Sequence, residues 1–172
     1  MKLSLPILAT LAFCMTFCAQ GFAQLRDPGV YAPTSSGPMR LSQLPMPAQR
    51  TTSWASMVFG DDRLSLRYTW AGANSFTTVS EHRPTLRVNL GYLPDRGLNA
   101  IQIVKLEQKG DYRKSALRWR QDVPAEFQGG VAVGVSRGID GELLVQPSAD
   151  LAPGEYMLSL GALGAQYDFS VR

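Results

Sequence analysis

The sequence has little of the chemistry that most enzymes and metal sites need. Of its 172 residues only two are cysteines, Cys14 and Cys18, and His82 is the sole histidine. Zinc needs three or four nitrogen or sulfur ligands, and a Ser-His-Asp or Cys-His centre would have to use His82 as its base. His82 lies in a charged segment just before Pro84, which is typical of a solvent-exposed loop. We therefore expect no catalytic centre, no cofactor and no metal ion.

Charge of one sign and long apolar runs are also scarce. The chain has 17 Lys plus Arg against 14 Asp plus Glu, a formal net charge of +3, which excludes a histone-like composition. With 45% hydrophobic and 18% charged residues the composition is globular rather than disordered. The 16 Gly and 11 Pro favour a fold with many turns over a bundle of long helices. One domain of ordinary size is expected.

The first 23 residues have the three parts of an export signal. Lys2 supplies the positive charge, residues 3–17 form an apolar run, and Gly21-Phe22-Ala23 places small residues at the minus-three and minus-one positions of a cleavage site. The apolar run is shorter than the roughly 20 residues that span a bilayer, and no second such run follows. We expect cleavage after Ala23 and a periplasmic or secreted protein without a transmembrane segment.

Both cysteines lie inside this signal. A lipoprotein alternative would need a small residue before the modified cysteine, but Phe13 and Phe17 precede Cys14 and Cys18. The exported chain would then contain no cysteine, so its stability must come from a packed core rather than from disulfides. Export also makes nucleic acid an unexpected partner.

After the signal the chain consists of short segments with strand periodicity. Residues 24–50 hold five prolines, which forbid a regular helix and allow edge strands such as 29–32 and 39–44. In residues 51–172, apolar residues alternate with polar ones in several short runs separated by turns, and no helix long enough for a βαβ crossover intervenes. This pattern predicts an all-β fold, an antiparallel Ig-like β-sandwich. The alternating apolar positions include Leu64, Leu66, Tyr68, Trp70, Leu86, Val88, Leu117, Val131, Val133, Val135, Tyr167, Phe169 and Val171.

The C-terminal third resembles a known group of proteins. Residues 143–156 end in Leu151-Ala152-Pro153-Gly154-Glu155-Tyr156, and Tyr167-Asp168-Phe169 follows. This Leu-x-Pro-Gly-Glu-Tyr and Tyr-Asp-Phe pattern is similar to the ending of a large group of secreted bacterial β-sandwich proteins with no assigned function. At its central strand the chain has Thr85, Leu86 and Val88, where that group is rich in aromatic residues. The resemblance implies an Ig-like sandwich in the cell envelope rather than a reaction.

A physical reason for this motif lies in turn chemistry. Pro153 presets the first dihedral angle of a turn, and Gly154 accepts the positive φ of a type II turn. Tyr156 then begins a buried alternation with Leu158 and Leu160. We interpret the motif as a structural turn followed by a core strand, with a binding role for Glu155 as the alternative.

The charge distribution along the chain is uneven. Residues 105–120 contain six cations and two anions, whereas residues 121–172 contain two cations and seven anions. With aromatic residues interleaved, the basic stretch could dock an anionic envelope polymer, a lipid head group or an acidic envelope protein. The alternative is a hairpin whose charges only face water. The residues of this predicted basic patch are Lys109, Arg113, Lys114, Arg118 and Arg120.

Two classes of function follow from the sequence. The first is a non-enzymatic binding or assembly module of the envelope. The second is a small hydrolase or lyase that acts on envelope glycans through a carboxylate or tyrosine pair, for which the neighbouring acids are Asp61 with Asp62, Asp140 with Glu142, and Asp122 with Glu126. Asp140-Gly141 also has the composition of a hairpin turn. The sequence favours the binding module.

Overall fold

The described part of the chain has an all-β fold. The computed structural model describes residues 27–51, 63–89, 100–120, 123–161 and 164–172, without the side chains of 49–51, 63–65, 118–120 and 123–125. The predicted export signal lies outside these residues. Within them the all-β prediction is confirmed, since they form strands and no α-helix. None of their segments is a helix long and apolar enough to cross a membrane.

Fifteen strands are formed by the described residues. They are β1 (Gly29–Thr34), β2 (Gly37–Arg40), β3 (Ser42–Gln43), β4 (Ala48–Thr51), β5 (Arg63–Ala71), β6 (Thr78–Val79), β7 (Leu86–Asn89), β8 (Ile101–Lys109), β9 (Tyr112–Arg120), β10 (Val123–Phe127), β11 (Gly130–Val131), β12 (Val133–Arg137), β13 (Leu143–Pro147), β14 (Gly154–Leu160) and β15 (Gln166–Val171).

These strands make two sheets. The first sheet has the order β12-β13-β7-β1-β2, and the second has the order β3-β15-β14-β8-β9-β5-β4. Three further strands flank the second sheet, with β6 beside β15, β10 beside β9 and β11 beside β8. Among the described pairings, β6 with β15 is parallel and the others are antiparallel. The prediction of antiparallel sheets is therefore confirmed.

The proline-rich segment is part of the same two sheets. Its strands β2, β3 and β4 each pair with one neighbour, as expected for edge strands. The predicted single strand 39–44 is wrong, because it divides into β2 of the first sheet and β3 of the second. Strand β1 differs, because it lies between β2 and β7. Its pairing with β7 covers Gly29, Val30 and Tyr31 and ends before Pro33, so the missing proline N–H does not interrupt that ladder. The prediction that β1 is an edge strand is thus wrong. Proline only limits how far the pairing of β1 with β7 extends.

The main core lies between the two sheets. Its buried residues come from both, for example Leu86 and Val88 from the first sheet and Ile103, Leu158 and Phe169 from the second. Within β7 the predicted alternation is confirmed, since Leu86 and Val88 are buried and Arg87 is exposed. This packing of two sheets around one apolar layer defines a β-sandwich.

A second core covers the opposite face of β8 and β14. Val104 and Met157 point away from the main core and pack with Tyr68, Trp70 and Leu117, which come from β5 and β9. The second sheet therefore turns back on itself, so that β5 and β9 shield a face that would otherwise meet solvent. Burial on both faces explains why consecutive residues are apolar and buried in these strands, Ile103 and Val104 in β8 and Tyr156, Met157 and Leu158 in β14.

The sheet can turn back because β8 and β9 separate. They pair only over Glu107, Gln108 and Lys109 opposite 112–114 in the described register. Beyond that point β8 pairs with β14 and β11, while β9 pairs with β5 and β10. The turn at Gln128 and Gly129, between β10 and β11, fills the resulting fork.

Replacing Tyr68 by Phe should raise the free energy of unfolding by about 1 kcal/mol, because the buried Tyr68 hydroxyl has no hydrogen-bond partner in the described part of the chain.

Burial also raises the pKa of Tyr68. The unfolded chain loses the Tyr68 proton above about pH 10, whereas the folded protein keeps it until the pH reaches the folded-state pKa. The stability that depends on protonated Tyr68 is therefore fully present below about pH 10 and is lost as pH rises through the folded-state pKa. Urea unfolding at neutral and alkaline pH measures both effects.

Tyr156 provides the matched control for this substitution. Its hydroxyl donates to the Ala152 carbonyl oxygen at 2.6 Å. Tyr156→Phe removes a satisfied hydroxyl and should lower stability by about 1 kcal/mol. Equal effects of the two Tyr→Phe changes would contradict the difference in hydrogen bonding.

Candidate functional site

The motif residues Glu155 and Asp168 meet in a buried ionic cluster. They lie on the neighbouring strands β14 and β15, and both face Arg113 of β9. Arg113 Nη1 donates to Asp168 Oδ2 at 2.6 Å and lies 3.7 Å from Glu155 Oε2. The relative exposures of Arg113, Glu155 and Asp168 are 3%, 2% and 3%. A guanidinium is suited to this place because it presents several N–H donors in a fixed plane.

The backbone and the last residue complete this cluster. Arg113 Nε donates to the Gly72 carbonyl oxygen at 2.9 Å. Glu155 Oε2 accepts from the Ser75 backbone N–H at 2.7 Å, and Glu155 Oε1 accepts from Arg172 Nη2 at 3.1 Å. The cluster therefore joins β9, β14 and β15 to the segment after β5, and its two carboxylates face two arginines. This arrangement is a structural tie rather than an open site.

Three sequence interpretations change in the structure. Arg113 was predicted in a surface patch, but it is buried and its guanidinium is engaged in the interior. Glu155 has a specific polar role, yet its partners lie within the protein. Gly154 has the expected positive φ, but its value of 151° differs from the roughly +80° of a type II turn, and Gly154 is already paired with Val171. Tyr156 is buried in the main core as predicted.

A second cluster of charged residues faces solvent at the fork between β8 and β9. It surrounds a hollow of about 220 Å³, which we call the cationic hollow. Among the described residues that line it are three cations, Arg67, Lys105 and Lys114, and one carboxylate, Glu107. The remaining described lining residues are Ser115, Ala116, Gln128 and Gly129.

The strand pattern explains why the cations converge. Lys105 and Glu107 are two residues apart on β8, and Glu107 lies opposite Lys114 of β9. Arg67 of β5 lies opposite Ala116, two residues after Lys114. Because alternate residues of a strand share a face, these positions lie on one face of the sheet, where Arg67, Lys105 and Glu107 are exposed. Arg113, one residue before Lys114, takes the interior side.

The floor of the hollow is fixed by backbone contacts. The Lys105 N–H donates to the Gly129 carbonyl oxygen at 3.0 Å, and the Gln128 N–H donates to the Ala116 carbonyl oxygen at 2.7 Å. Gly129 has a φ of 79°, and a Cβ at this position would lie 3.2 Å from the Lys105 carbonyl oxygen. Glycine is therefore required where the turn enters the fork.

Two contacts orient the lysines. Lys114 Nζ lies 2.9 Å from Glu107 Oε1, with side-chain exposures of 20% and 68%. Lys105 Nζ lies over the Tyr156 ring, 5.8 Å from its centroid. Because the Glu107 carboxylate is well exposed, its pairing with Lys114 is weakly held. The hollow thus contains an excess of positive charge and one counter-ion that solvent can reach.

The predicted basic patch is brought together only in part. Lys114 lines the hollow, whereas Lys109 is exposed at the end of the β8–β9 hairpin and Arg113 is internal. The backbone of Arg118 lies opposite Ser65 and Glu126, and that of Arg120 lies opposite Arg63. The side chains of Arg118 and Arg120 lie outside the described atoms. The sequence analysis did not include Arg67 in the basic patch. The signal that could have found it is its place on the polar side of an alternating strand.

A larger cleft of about 810 Å³ lies between the edge of the first sheet and β8. Val131, Val133 and Val135 contribute to its wall, and Glu126 is the only carboxylate among its described lining residues. Of the predicted acidic pairs, Asp140 and Glu142 lie in the β12–β13 hairpin loop, where Glu142 Oε2 accepts from the Asp140 N–H at 3.1 Å. Asp61, Asp62 and Asp122 lie outside the described residues.

His82 is an exposed loop residue, as expected. Its Nδ1 lies 3.0 Å from the Leu151 carbonyl oxygen, and its own carbonyl oxygen accepts from the Leu151 N–H at 2.6 Å. No group of three or more His, Cys, Asp or Glu that could hold a metal ion occurs within the described ranges. His82 therefore ties one loop to another in the described structure.

Comparisons with known proteins found no similar protein, so function is inferred from the geometry of the described residues. No protein-family model matches the chain, and no curated protein or solved structure matches it. The cationic hollow is the feature of the described structure that combines exposed charge with a fixed shape. We take it as the candidate functional site.

Proposed function

We propose that this protein is an exported, non-enzymatic Ig-like β-sandwich that binds an anionic polymer of the cell envelope through the cationic hollow. The observation that carries the proposal is the meeting of Arg67, Lys105 and Lys114 around one hollow with a single carboxylate among its described lining residues. The predicted export signal supplies the location. The resemblance of the Pro153-Gly154-Glu155-Tyr156 and Tyr167-Asp168-Phe169 segments to secreted sandwich proteins supports the same class.

The placement of the cations suits a polymer better than a small buried ligand. The hollow opens on the solvent side of the sheet, and Arg67 and Lys105 are both exposed. The backbone of Arg50 lies opposite Arg67, so positively charged residues continue onto the neighbouring strand β4. A row of cations along a sheet attracts a chain of negative charges and contributes to binding at several points.

The described carboxylates favour binding over glycan hydrolysis. A glycosidase needs two carboxyl groups about 5 to 9.5 Å apart across a cleft that admits substrate. Glu155 and Asp168 instead share Arg113 in the protein interior. Asp140 and Glu142 stabilise a turn, and Glu126 lines the larger cleft without a second described carboxylate. These placements support the binding module.

Replacing Arg67 and Lys114 together by Gln should weaken binding to a purified anionic envelope polymer about tenfold or more, because two charge-assisted contacts are lost. Surface plasmon resonance with immobilised protein measures the affinity. The affinity of the unmodified protein should also fall as salt rises from about 0.05 to 0.5 M, since the contacts are solvent-exposed.

Lys109→Gln is the matched control, because it removes an exposed cation of the same hairpin that does not line the hollow. It should change the affinity by less than about twofold. A neutral glycan of similar length should not bind. Equal binding by the double variant and the unmodified protein, or no binding to any anionic polymer, would overturn the proposal.

A further inference from the structure

We propose that the cationic hollow accepts a phosphate monoester dianion, and that the Glu107 carboxylate occupies part of this site in the free protein. This inference rests on the proposed function and names the chemical group that the site selects. It follows from the number of cations, from their arrangement on three strands, and from the exposed ion pair between Glu107 and Lys114.

The charge of the hollow fits a dianion. Among the described lining residues, three cations and one carboxylate leave an excess of two positive charges. A phosphate monoester carries about −1.5 to −2 at pH 7, whereas a carboxylate or a phosphodiester carries about −1. A dianion therefore neutralises the hollow, and a monoanion leaves part of the positive charge unpaired.

The arrangement of the cations fits a tetrahedral group. Arg67, Lys105 and Lys114 reach the hollow from β5, β8 and β9 respectively, so they approach from different strands rather than from one direction. The oxygens of a phosphate group point in several directions, so the group can accept from side chains on different strands. A planar carboxylate offers two oxygens in one plane. The volume of about 220 Å³ leaves room for one such group with part of the molecule that carries it.

Glu107 has the properties of a displaceable internal anion. Its carboxylate lies 2.9 Å from Lys114 Nζ, and its side chain is 68% exposed. An exposed ion pair of this kind contributes little to stability, so the carboxylate can turn into solvent when a ligand with more charge arrives. Lys105, in contrast, has a cation–π contact with Tyr156, and its backbone N–H donates to the Gly129 carbonyl oxygen at the floor of the hollow.

The test is a titration of the purified protein with methyl phosphate, followed by amide chemical shifts in NMR. Dimethyl phosphate, acetate and inorganic phosphate are titrated in parallel. We expect saturable shifts that centre on Arg67, Lys105, Lys114 and Gly129, with methyl phosphate binding about fivefold or more tightly than dimethyl phosphate or acetate. Inorganic phosphate binding as well as methyl phosphate would identify the free ion as an equally good ligand, which supports the same dianion chemistry.

Glu107→Gln should bind methyl phosphate about three- to fivefold more tightly, because the competing carboxylate is gone while the side-chain shape is kept. Arg67→Gln should bind it several-fold more weakly, and Lys109→Gln should match the unmodified protein. Equal affinity for acetate and methyl phosphate, unchanged affinity of the Glu107→Gln variant, or shifts centred elsewhere would each overturn the inference.

This experiment separates the inference from the proposed function. If an anionic polymer binds and the double variant weakens it, but methyl phosphate causes no saturable shifts, the binding module stands and the phosphate assignment fails. If methyl phosphate binds at the hollow while no anionic polymer binds, the phosphate site stands and the polymer proposal fails.

Discussion

Replacing Arg113 by Met should lower the free energy of unfolding by about 3 to 5 kcal/mol. Arg113 is 3% exposed, and its guanidinium faces both Asp168 and Glu155 and donates to the Gly72 carbonyl oxygen. Its removal leaves two carboxylates at 2% and 3% exposure, with Arg172 as the one cation of the described cluster that remains beside Glu155. Urea unfolding followed by circular dichroism measures the loss.

The neighbourhood offers a control and a rescue for this substitution. Lys109→Met removes an exposed cation of the same hairpin and should leave stability almost unchanged. Adding Asp168→Asn to Arg113→Met removes one unpaired charge and should recover part of the loss. If Arg113→Met unfolds at the same urea concentration as the Lys109→Met protein, Arg113 is not the buried tie that these contacts describe.

The ionic cluster and the cationic hollow are connected through strand β9. Arg113 faces the interior and Lys114 faces the hollow, because consecutive residues of a strand point to opposite sides. The bonds from Arg113 to Asp168 and Gly72 fix β9 relative to β15 and to the segment after β5. The same bonds therefore fix the position from which Lys114 enters the hollow. A buried structural tie and an exposed binding site depend on one strand register.

Much of the fold could be predicted because strand burial follows a period of two. Tyr68 and Trp70 on one side of β5, and Leu86 and Val88 on one side of β7, are buried as their alternation indicated. The predicted Asp140-Gly141 turn also joins two paired strands, β12 and β13, and Gly141 has a φ of 83°. Local pattern is sufficient for these features because each depends on neighbouring residues only.

The candidate site could not be predicted in the same way, because it depends on pairing between distant segments. Arg113 and Asp168 are 55 residues apart, and no local pattern indicates that their strands come together. Within the basic stretch Arg113 resembles its neighbours in charge. Arg113 lies on the same face of β9 as Ser115 and Leu117, which are both buried, and only this alternation marks it as internal. The hollow likewise requires the turn at Gln128 and Gly129 to enter the fork, which is a property of the assembled sheet.

Replacing Phe169 by Ala should lower the free energy of unfolding by about 3 to 5 kcal/mol, since the ring is fully buried in the main core. Phe169 packs against Tyr156, with the ring centroids 5.7 Å apart and the planes 20° from parallel. Its truncation leaves a cavity and removes this contact between the two halves of the C-terminal motif.

Phe76 provides the contrast for this substitution, because it is 93% exposed and Phe76→Ala removes the same side-chain atoms at the surface. That variant should unfold at nearly the same urea concentration as the unmodified protein. The difference between the two variants separates burial from residue type. Similar losses for both would mean that Tyr167-Asp168-Phe169 is not a core strand. Glu155 and Asp168 would then lack the rigid pair of strands that holds them beside Arg113, and the register of Lys114 at the hollow would lose its physical basis.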